Sequence, residues 1–235
     1  MVKNICNVWK TNKKELLVML IVLSAGGISG MITSQIAIRV DTQMPFMALG
    51  AVIALFMWGL INFILGLFGY QNTFDLMVSM GCRRKDYILS QTISVYINML
   101  LEFGMIGLIY MAERLVHRLV YTTYEIEDFT AYILNPKMLV MLFLLIPATR
   151  LLMGALILKY KKKAFWIIWA IWMFGSYGSG RIIHYLVEHP QNWVMVCITA
   201  LRNTSVGTQL VLTLLLTVGM LIGTYLLTRK QAVYV

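Results

Sequence analysis

Polar residues inside otherwise apolar segments are the first candidates for chemistry in this sequence. One set recurs at intervals of three, four and four residues and therefore lies on one helical face: Gln91, Ser94, Asn98 and Glu102. Arg150 stands alone in a second apolar segment. A charge at the centre of a bilayer costs at least about 2.5 kcal/mol unless it is paired or hydrated. We therefore expect these side chains to face protein or water and to be candidates for a transport pathway.

Helix geometry predicts that Glu102 and Arg150 form an ion pair. At a rise of about 1.5 Å per residue, Arg150 lies about 13 Å and Glu102 about 21 Å from the inner ends of their apolar segments. Helical side chains lean towards the N-terminus of their own helix, so the two charged groups converge. Asn98 and Asn62 are the expected hydrogen-bonding neighbours. The sequence is equally compatible with a functional pair and with a pair that only fixes helix register.

A second group of polar residues could bind a metal ion. His184 and Glu188 are one helical turn apart, beside Arg181 and His189. The sequence contains no HExxH or GxSxG motif and no third ligand at a recognisable spacing. Solvated residues at a membrane interface explain this group better, and an intramembrane metal-dependent enzyme is the alternative.

Composition predicts that transmembrane helices position these residues. Of the 235 residues, 60% are hydrophobic and 13% are charged, and the mean hydropathy is +0.77, far more apolar than a soluble domain. A bilayer core about 30 Å thick needs roughly 20 apolar residues per helix. We predict an all-α, polytopic membrane protein, a single transmembrane domain over 1–235, with spans at 16–38, 46–70, 88–111, 138–158, 164–180 and 208–228.

Two shorter segments are predicted to lie at the membrane surface. Residues 2–15 carry apolar side chains on one side and lysines on the other, as an N-terminal interfacial helix does. A frayed basic tail fits this segment equally well. Residues 192–201 are too few to span a bilayer and are expected to form a re-entrant or interfacial piece.

The distribution of positive charge predicts the orientation of the spans. The formal net charge is +10. Thirteen Lys and Arg residues flank the spans on one side and six on the other, which places the richer side and both chain termini in the cytoplasm of a multi-pass cell-membrane protein. Topology and lipid contact explain this charge without a nucleic-acid partner. The three cysteines are divided between the two sides, so we expect no disulfide framework.

The most polar passage between two apolar runs is residues 72–91, NTFDLMVSMGCRRKDYILSQ. Asn72 can cap a helix, Asp75 complements the helix dipole, and Gly81 can end the helix in a left-handed turn. These signals predict a short helix over 73–80, about 12 Å long. A helix of this length cannot cross a membrane, and we expect it on the cytoplasmic surface.

The short helix is predicted to be amphipathic. Phe74, Met77 and Val78 share one face at helical spacing, while Asp75 lies on another. An apolar ridge with charged edges suits a groove in another protein. The competing interpretation is a helix that only anchors the loop to lipid, which would need neither Asp75 nor a defined end.

The run FDLMVSMGCRRKDYILSQ resembles the cytoplasmic coupling element of type-2 ATP-binding-cassette (ABC) transporter permeases. In both, a short helix is followed by a glycine, a run of basic residues and an aromatic residue, here Gly81, the basic run 83–85 and Tyr87, which lead into the third span. The six spans, the N-terminal surface helix, the cytoplasmic termini and the short piece before the last span are similar to that family as well. The resemblance therefore covers nearly the whole chain.

The resemblance implies a permease subunit whose coupling helix docks into a separate ATPase. The coupling residues that it implies are Phe74, Asp75, Met77, Val78, Gly81, Arg83 and Arg84. The chain has no GxxxxGK[ST] phosphate loop, so ATP and Mg²⁺ are expected on the partner, and no cofactor on this chain. Two ATPase copies and a second permease chain, identical or similar, complete the implied assembly.

Export is implied by the resemblance alone. Small outer loops and an apolar bundle favour an amphipathic or lipid-like substrate, such as an antimicrobial peptide or a drug. A substrate-capture subunit of an importer is a further alternative with six spans and ATPase dependence. Such a subunit would not predict a coupling helix between the second and third spans.

Overall fold

The computed structural model describes residues 2–40, 47–120, 135–189, 191–229 and 231. Within these ranges the chain is all-helical and contains no strand. In chain order the helices are α1 Val2–Val40, α2 Leu49–Ser79, α3 Arg84–Val120, α4 Pro136–Tyr160, α5 Lys162–Glu188, α6 Trp193–Asn203 and α7 Val206–Thr228. The predicted all-α fold class is confirmed for this part of the chain.

Five of the described helices are long and apolar enough to cross a membrane: α1 over Asn12–Ala37, α2, α3, α4 and α7. A polytopic membrane protein is thereby indicated. The helix at the remaining predicted span, α5, is rich in Trp, Tyr and Gly, which lower its mean hydropathy, and it is not among the five. The span predicted over 164–180 therefore stays a prediction.

Helix α1 is one uninterrupted helix of 39 residues. The predicted break between a surface helix over 2–15 and a span from residue 16 is wrong. Val8, Asn12 and Leu16 are buried and follow one another at helical spacing. This buried stripe packs α1 against α2 and α3 and carries the helix through the point where a break was expected.

Helix α2 runs straight through the separate short helix predicted over 73–80. Asn72 lies in its interior, so the predicted start at an Asn72 cap is wrong. The predicted end is confirmed, because Gly81 has a φ of 84°, a conformation in which glycine avoids the strain that a Cβ causes. The N–H groups of the turn bond back to the carbonyl oxygens of Met77 and Val78, each at 3.0 Å, in a Schellman arrangement.

Two clusters of buried side chains form most of the core, and both draw on α1, α2 and α3. The end cluster surrounds the α2–α3 turn and consists of Val8, Tyr70, Phe74, Met77, Tyr87, Ile88, Val95, Leu151, Ala155 and Leu158. The central cluster lies further along the same helices and consists of Met19, Leu23, Ala54, Trp58, Met99, Ile106 and Ile109. The end cluster also includes α4, which packs against α2.

The last three helices attach to this packed part in different ways. Helix α7 packs against α4 and α3, and the Tyr70 hydroxyl lies 3.2 Å from Oγ1 of Thr228. Helix α5 follows α4 after a one-residue turn at Lys161, which has a φ of 51°. Helix α6 has eleven residues and is about 16 Å long, which agrees with a piece too short to span. Its position at a membrane surface stays a prediction.

Candidate functional site

Arg150 is the centre of a buried polar network in the interior of the helix bundle. It projects from α4 and is 6% exposed. Its Nη2 atom lies 2.9 Å from Oε2 of Glu15 on α1, forming an ion pair. Its Nη1 atom donates to Oδ1 of Asn62 on α2 at 3.1 Å. The intramembrane charge is thus both paired and hydrogen-bonded, as its location demands.

Glu102 occupies the other end of the same network. Its Oε2 atom accepts hydrogen bonds from Trp58 Nε1 at 2.7 Å and from Asn62 Nδ2 at 3.3 Å. Asn62 also donates to the carbonyl oxygen of Trp58 at 3.0 Å. The Asn62 amide therefore bridges Arg150 and Glu102, with its oxygen towards the cation and its nitrogen towards the carboxylate.

The predicted direct ion pair between Glu102 and Arg150 is wrong. The carboxylate that contacts Arg150 is Glu15, which the sequence placed in a surface helix. Because α1 continues without a break, Glu15 reaches the side of α2, where a Cβ added at Gly69 would stand 3.0 Å from its Oε1 atom. Asn62, predicted as a neighbour of the pair, lies between the two groups instead.

The polar stripe of α3 faces protein, as its spacing predicts. Gln91, Ser94, Asn98 and Glu102 are all buried. Nδ2 of Asn12 on α1 donates to Oε1 of Gln91 and to Oγ of Ser94, each at 3.1 Å. This contact was not predicted, because Asn12 too was assigned to a surface helix.

A second carboxylate that sequence reasoning missed caps α2 from another helix. Glu113 of α3 is fully buried and accepts hydrogen bonds from the backbone N–H groups of Gly50 at 3.1 Å and Ala51 at 3.3 Å. It also accepts from the Ser34 hydroxyl of α1 at 3.0 Å. Ala48, at the N-cap position of α2, offers no side-chain acceptor, so Glu113 satisfies N–H groups that would otherwise be orphaned.

Two glycines, Gly50 and Gly30, leave the space that this cap requires because they have no side chain. A Cβ at Gly50 would stand 2.8 Å from Oε2 of Glu113 and 2.6 Å from the carbonyl oxygen of Gly27. A Cβ at Gly30 would stand 2.6 Å from Cα of Gly50. Helices α1 and α2 therefore touch at backbone distance beside the Glu113 carboxylate, as small residues allow in membrane bundles.

The predicted coupling residues fall into a buried and an exposed group. Phe74 is fully buried and Met77 is 3% exposed, so the prediction that their side chains form an exposed docking ridge is wrong. The Phe74 ring meets the Tyr87 ring at 5.3 Å between centroids and 78°. Val78 packs at the edge of the same end cluster, and Asp75 is half-buried. Continuation of α2 turns this apolar face towards α3 and α1 instead of towards solvent.

The exposed part of the α2–α3 turn lies on the other side of the helix end. Leu76 is 47% and Met80 is 63% exposed. Gly81 and Arg83 are exposed beside them, and Arg84 is half-buried at the first position of α3. An apolar patch flanked by cations is thus present at this turn, but it is formed by Leu76 and Met80, which sequence reasoning did not select.

The possible metal group on α5 is a solvated pair. Nδ1 of His184 lies 3.3 Å from Oε2 of Glu188, and both side chains are exposed. The His189 ring stacks on Tyr185 at 4.4 Å between centroids. The part of the chain that the structure describes contains no group of three or more His, Cys, Asp or Glu that could hold a metal ion.

The network is suited to holding helices in register. Arg150, Glu15 and Glu102 place one positive and two formally negative groups on three helices, and Asn62 connects them through a fourth. A shift of α1 relative to α4 would separate Arg150 from its only counter-charge within ion-pairing distance in the described residues. Separation of a buried pair is costly, so the network favours one helix arrangement.

Comparison with known proteins adds no relative to these observations. No protein-family model matches the sequence, and neither a curated protein nor a solved structure matches it. The polar network and the α2–α3 turn are therefore the features from which a function can be inferred.

Proposed function

We propose that this chain is the membrane-spanning permease subunit of an ABC exporter that uses ATP hydrolysed by a separate chain. The observation that carries the proposal is the α2–α3 turn. It combines the sequence motif GCRRKDY with an exposed apolar patch, Leu76 and Met80, and an adjacent exposed cation, Arg83. Such a surface suits a groove with acidic edges on a soluble partner.

The buried residues behind this turn provide a means to transmit force. Phe74 packs edge-on against Tyr87, and the Tyr87 hydroxyl donates to the carbonyl oxygen of Tyr70 at 3.2 Å. The Tyr70 side chain in turn packs closely against Gly154 of α4. A displacement of the turn is therefore passed on to α3 and α4, because close-packed protein interiors have low compressibility. In this proposal Phe74 and Met77 transmit the movement, and Leu76 and Met80 receive it.

The arrangement of helix ends supports six spans with both termini on one side. The end cluster gathers residues near the start of α1, at the α2–α3 turn and at the end of α4, with Leu227 of α7 packed against it. Because α4 and α7 both end there, the chain between them has to return to the opposite end of the bundle. Helix α5, at 27 residues and about 40 Å, is long enough for that crossing.

The same end of the bundle collects most of the cations in the described part of the chain. Lys13 and Lys14 lie in the first part of α1. The helix ends that meet in the end cluster carry the other cations: the run 83–85 at the α2–α3 turn, the lysines of 159–163 at the end of α4, and Arg229 after α7. By the positive-inside rule this end faces the cytoplasm, where an ATPase and its Mg²⁺ and ATP are available. The expected assembly contains two ATPase copies and a second permease chain.

An amphipathic or lipid-like substrate fits this proposal. The apolar faces of α5 and α7 are exposed in the single chain, including Phe174, Tyr177 and Leu215. A substrate that partitions into lipid can reach such faces from within the membrane. The polar residues predicted to line a possible pathway are buried inside the bundle: Asn62, Gln91, Ser94, Asn98, Glu102 and Arg150.

Site-specific photocrosslinking in cells of the source organism tests the proposal. A photoreactive residue at Met80 is expected to capture a cytoplasmic polypeptide that contains a GxxxxGK[ST] loop, identified by mass spectrometry. The matched control is Leu100, which has the same 63% exposure but lies in the middle of α3. Capture of lipid alone at Met80, or the same polypeptide at both positions, would contradict the assignment of the turn as the coupling surface.

A further inference from the structure

The turn between α4 and α5 concentrates positive charge. Four of the five residues from Lys159 to Lys163 are lysines, and all five are exposed. No acidic side chain lies in the first turn of α5. Among the described residues, no carboxylate forms an ion pair with Lys159, Lys162 or Lys163. No carboxylate of the described residues therefore neutralises the charge of these three lysines.

An apolar groove begins beside these lysines. It has a volume of about 360 Å³ and is lined by Leu156, Tyr160, Lys163, Ala164, Ile167 and Ile168. Lys163 is the only charged member, so the groove is apolar with one cationic end. Its two walls, the end of α4 and the start of α5, are joined by the single residue Lys161. The chain connection therefore sets the distance between the walls at this end.

The ammonium groups differ in what they contact. Nζ of Lys159 lies 5.0 Å from the centre of the Tyr160 ring, a cation–π contact. Lys163 lies on the groove itself, and Lys162 is the residue before it at the start of α5. Lys163 is therefore the cation that lines the groove, and Lys162 is the exposed cation next to it in the chain.

We propose that this groove binds an anionic phospholipid, with an acyl chain between α4 and α5 and the phosphate held by Lys162 and Lys163. One wall of the groove, the end of α4, belongs to a candidate membrane span, so hydrocarbon chains of the bilayer are natural neighbours of that wall. Ile167, in the groove, is 61% exposed and is available for contact with an acyl chain. The adjoining cations are complementary to a phosphate, and lysines near a membrane attract anionic lipids by about 1 kcal/mol each.

Native mass spectrometry of the purified full-length chain in detergent can count the bound lipid. Phosphatidylglycerol is expected to bind, whereas phosphatidylcholine of the same chain length is expected to bind much more weakly. The double variant Lys162→Ala/Lys163→Ala should bind phosphatidylglycerol about 30-fold more weakly, which corresponds to loss of two such lysine contacts. An Ile167→Gln variant should also weaken binding, because it places an amide against the acyl chain.

The matched control is Arg83→Ala/Lys85→Ala, which removes the same charge from an exposed turn at the same end of the bundle. This variant should bind phosphatidylglycerol as the unaltered chain does. Equal loss in both double variants, or no loss in Lys162→Ala/Lys163→Ala, would overturn the proposal. So would full displacement of the lipid by glycerol 1-phosphate, since a free headgroup has no chain to fill the groove.

Discussion

Arg150 of α4 pairs with Glu15 of α1 at 2.9 Å, although 135 residues separate them in the chain. The pair joins the N-terminal part of the protein to its fourth helix alongside α2. Glu102 is therefore not the direct counter-charge of Arg150, because Asn62 lies between the two groups and hydrogen-bonds to both.

Removal of the Glu15 carboxylate should destabilise the protein more than removal of an exposed carboxylate. A Glu15→Gln variant leaves Arg150 buried without its counter-charge. Because Glu15 is a quarter exposed, we expect a loss of about 2 kcal/mol, below the range for fully buried pairs. Thermal unfolding in detergent measures this, with Glu188→Gln as the control. If the double variant Glu15→Gln/Arg150→Met is not more stable than Glu15→Gln, the pair is not the cause.

Glu113 should be essential for the start of α2. A Glu113→Leu variant removes the acceptor for Gly50 and Ala51 N–H groups and should cost about 1–2 kcal/mol, as loss of a helix cap does. Hydrogen exchange at the first turn of α2 should become faster. Ser34→Ala removes one of the three hydrogen bonds and serves as the graded control. Exchange at α2 that is unchanged in Glu113→Leu would show that the carboxylate is not the cap.

Substitution of Gly50 should disturb the contact between α1 and α2. A Cβ there collides with backbone at 2.6 Å, so Gly50→Ala should lower stability by about 1–3 kcal/mol, as overpacking does. Gly104→Ala is the matched control, because no atom lies within 4 Å of a Cβ at that helical position. Ala in place of Gly within a helix should raise stability by roughly 0.5–1 kcal/mol. Equal effects at the two positions would contradict the close approach.

Variants at Phe74 and Met80 should distinguish a core residue from a residue of the proposed coupling surface. Phe74→Ala should destabilise the isolated chain by about 3–5 kcal/mol, because it empties a buried position. Met80→Asp should leave the isolated chain's thermal unfolding unchanged but abolish capture of the proposed ATPase partner. Co-purification and thermal unfolding measured on both variants provide the comparison. Retained partner binding in Met80→Asp would exclude Met80 from the contact.

Cys82 should report which side of the membrane the α2–α3 turn faces. Burial, together with the nearby Asp86 carboxylate, raises the pKa of the Cys82 thiol. Less thiolate is then present at neutral pH, so alkylation should be slower than for an ordinary thiol and should accelerate as the pH rises. In a chain with Cys6→Ser and Cys197→Ser, a membrane-impermeant maleimide should label inverted vesicles but not intact cells. Asp86→Asn should speed the reaction, and labelling of intact cells would contradict the proposed cytoplasmic location.

Composition and helical spacing were sufficient for the fold class and for the inward face of α3. The stripe from Gln91 to Glu102 could be predicted because polar groups in lipid must turn towards protein. Gly81 could be predicted as a helix end because a left-handed turn favours glycine. Each of these inferences depends on local geometry and on the solvent, and both are encoded in a short stretch of sequence.

The contacts that the sequence did not reveal depend on which helices become neighbours. Asn72 has the chemistry of a helix cap, but burial of Phe74 and Met77 against Tyr87 continues the helix past it. Glu15 has the polarity of a surface residue, but the buried stripe of α1 carries it to Arg150. Tertiary packing outweighs the local signal in both cases. Glu113 gave no signal at all, since a cap supplied by another helix has no fixed spacing.

Two carboxylates hold α1 to its neighbours at widely separated points along its length: Glu15 of α1 pairs with α4, and Glu113 of α3 accepts a hydrogen bond from α1. Sliding or tilting of α1 against α3 or α4 would have to break one of these two contacts. Among the described side chains of α5, by contrast, contacts with the other helices are apolar and aromatic, such as Trp172 against Phe63, and such contacts can slide without separating a buried ion pair. If the bundle opens laterally towards the lipid, the opening should therefore form at the interface between α5 and α2.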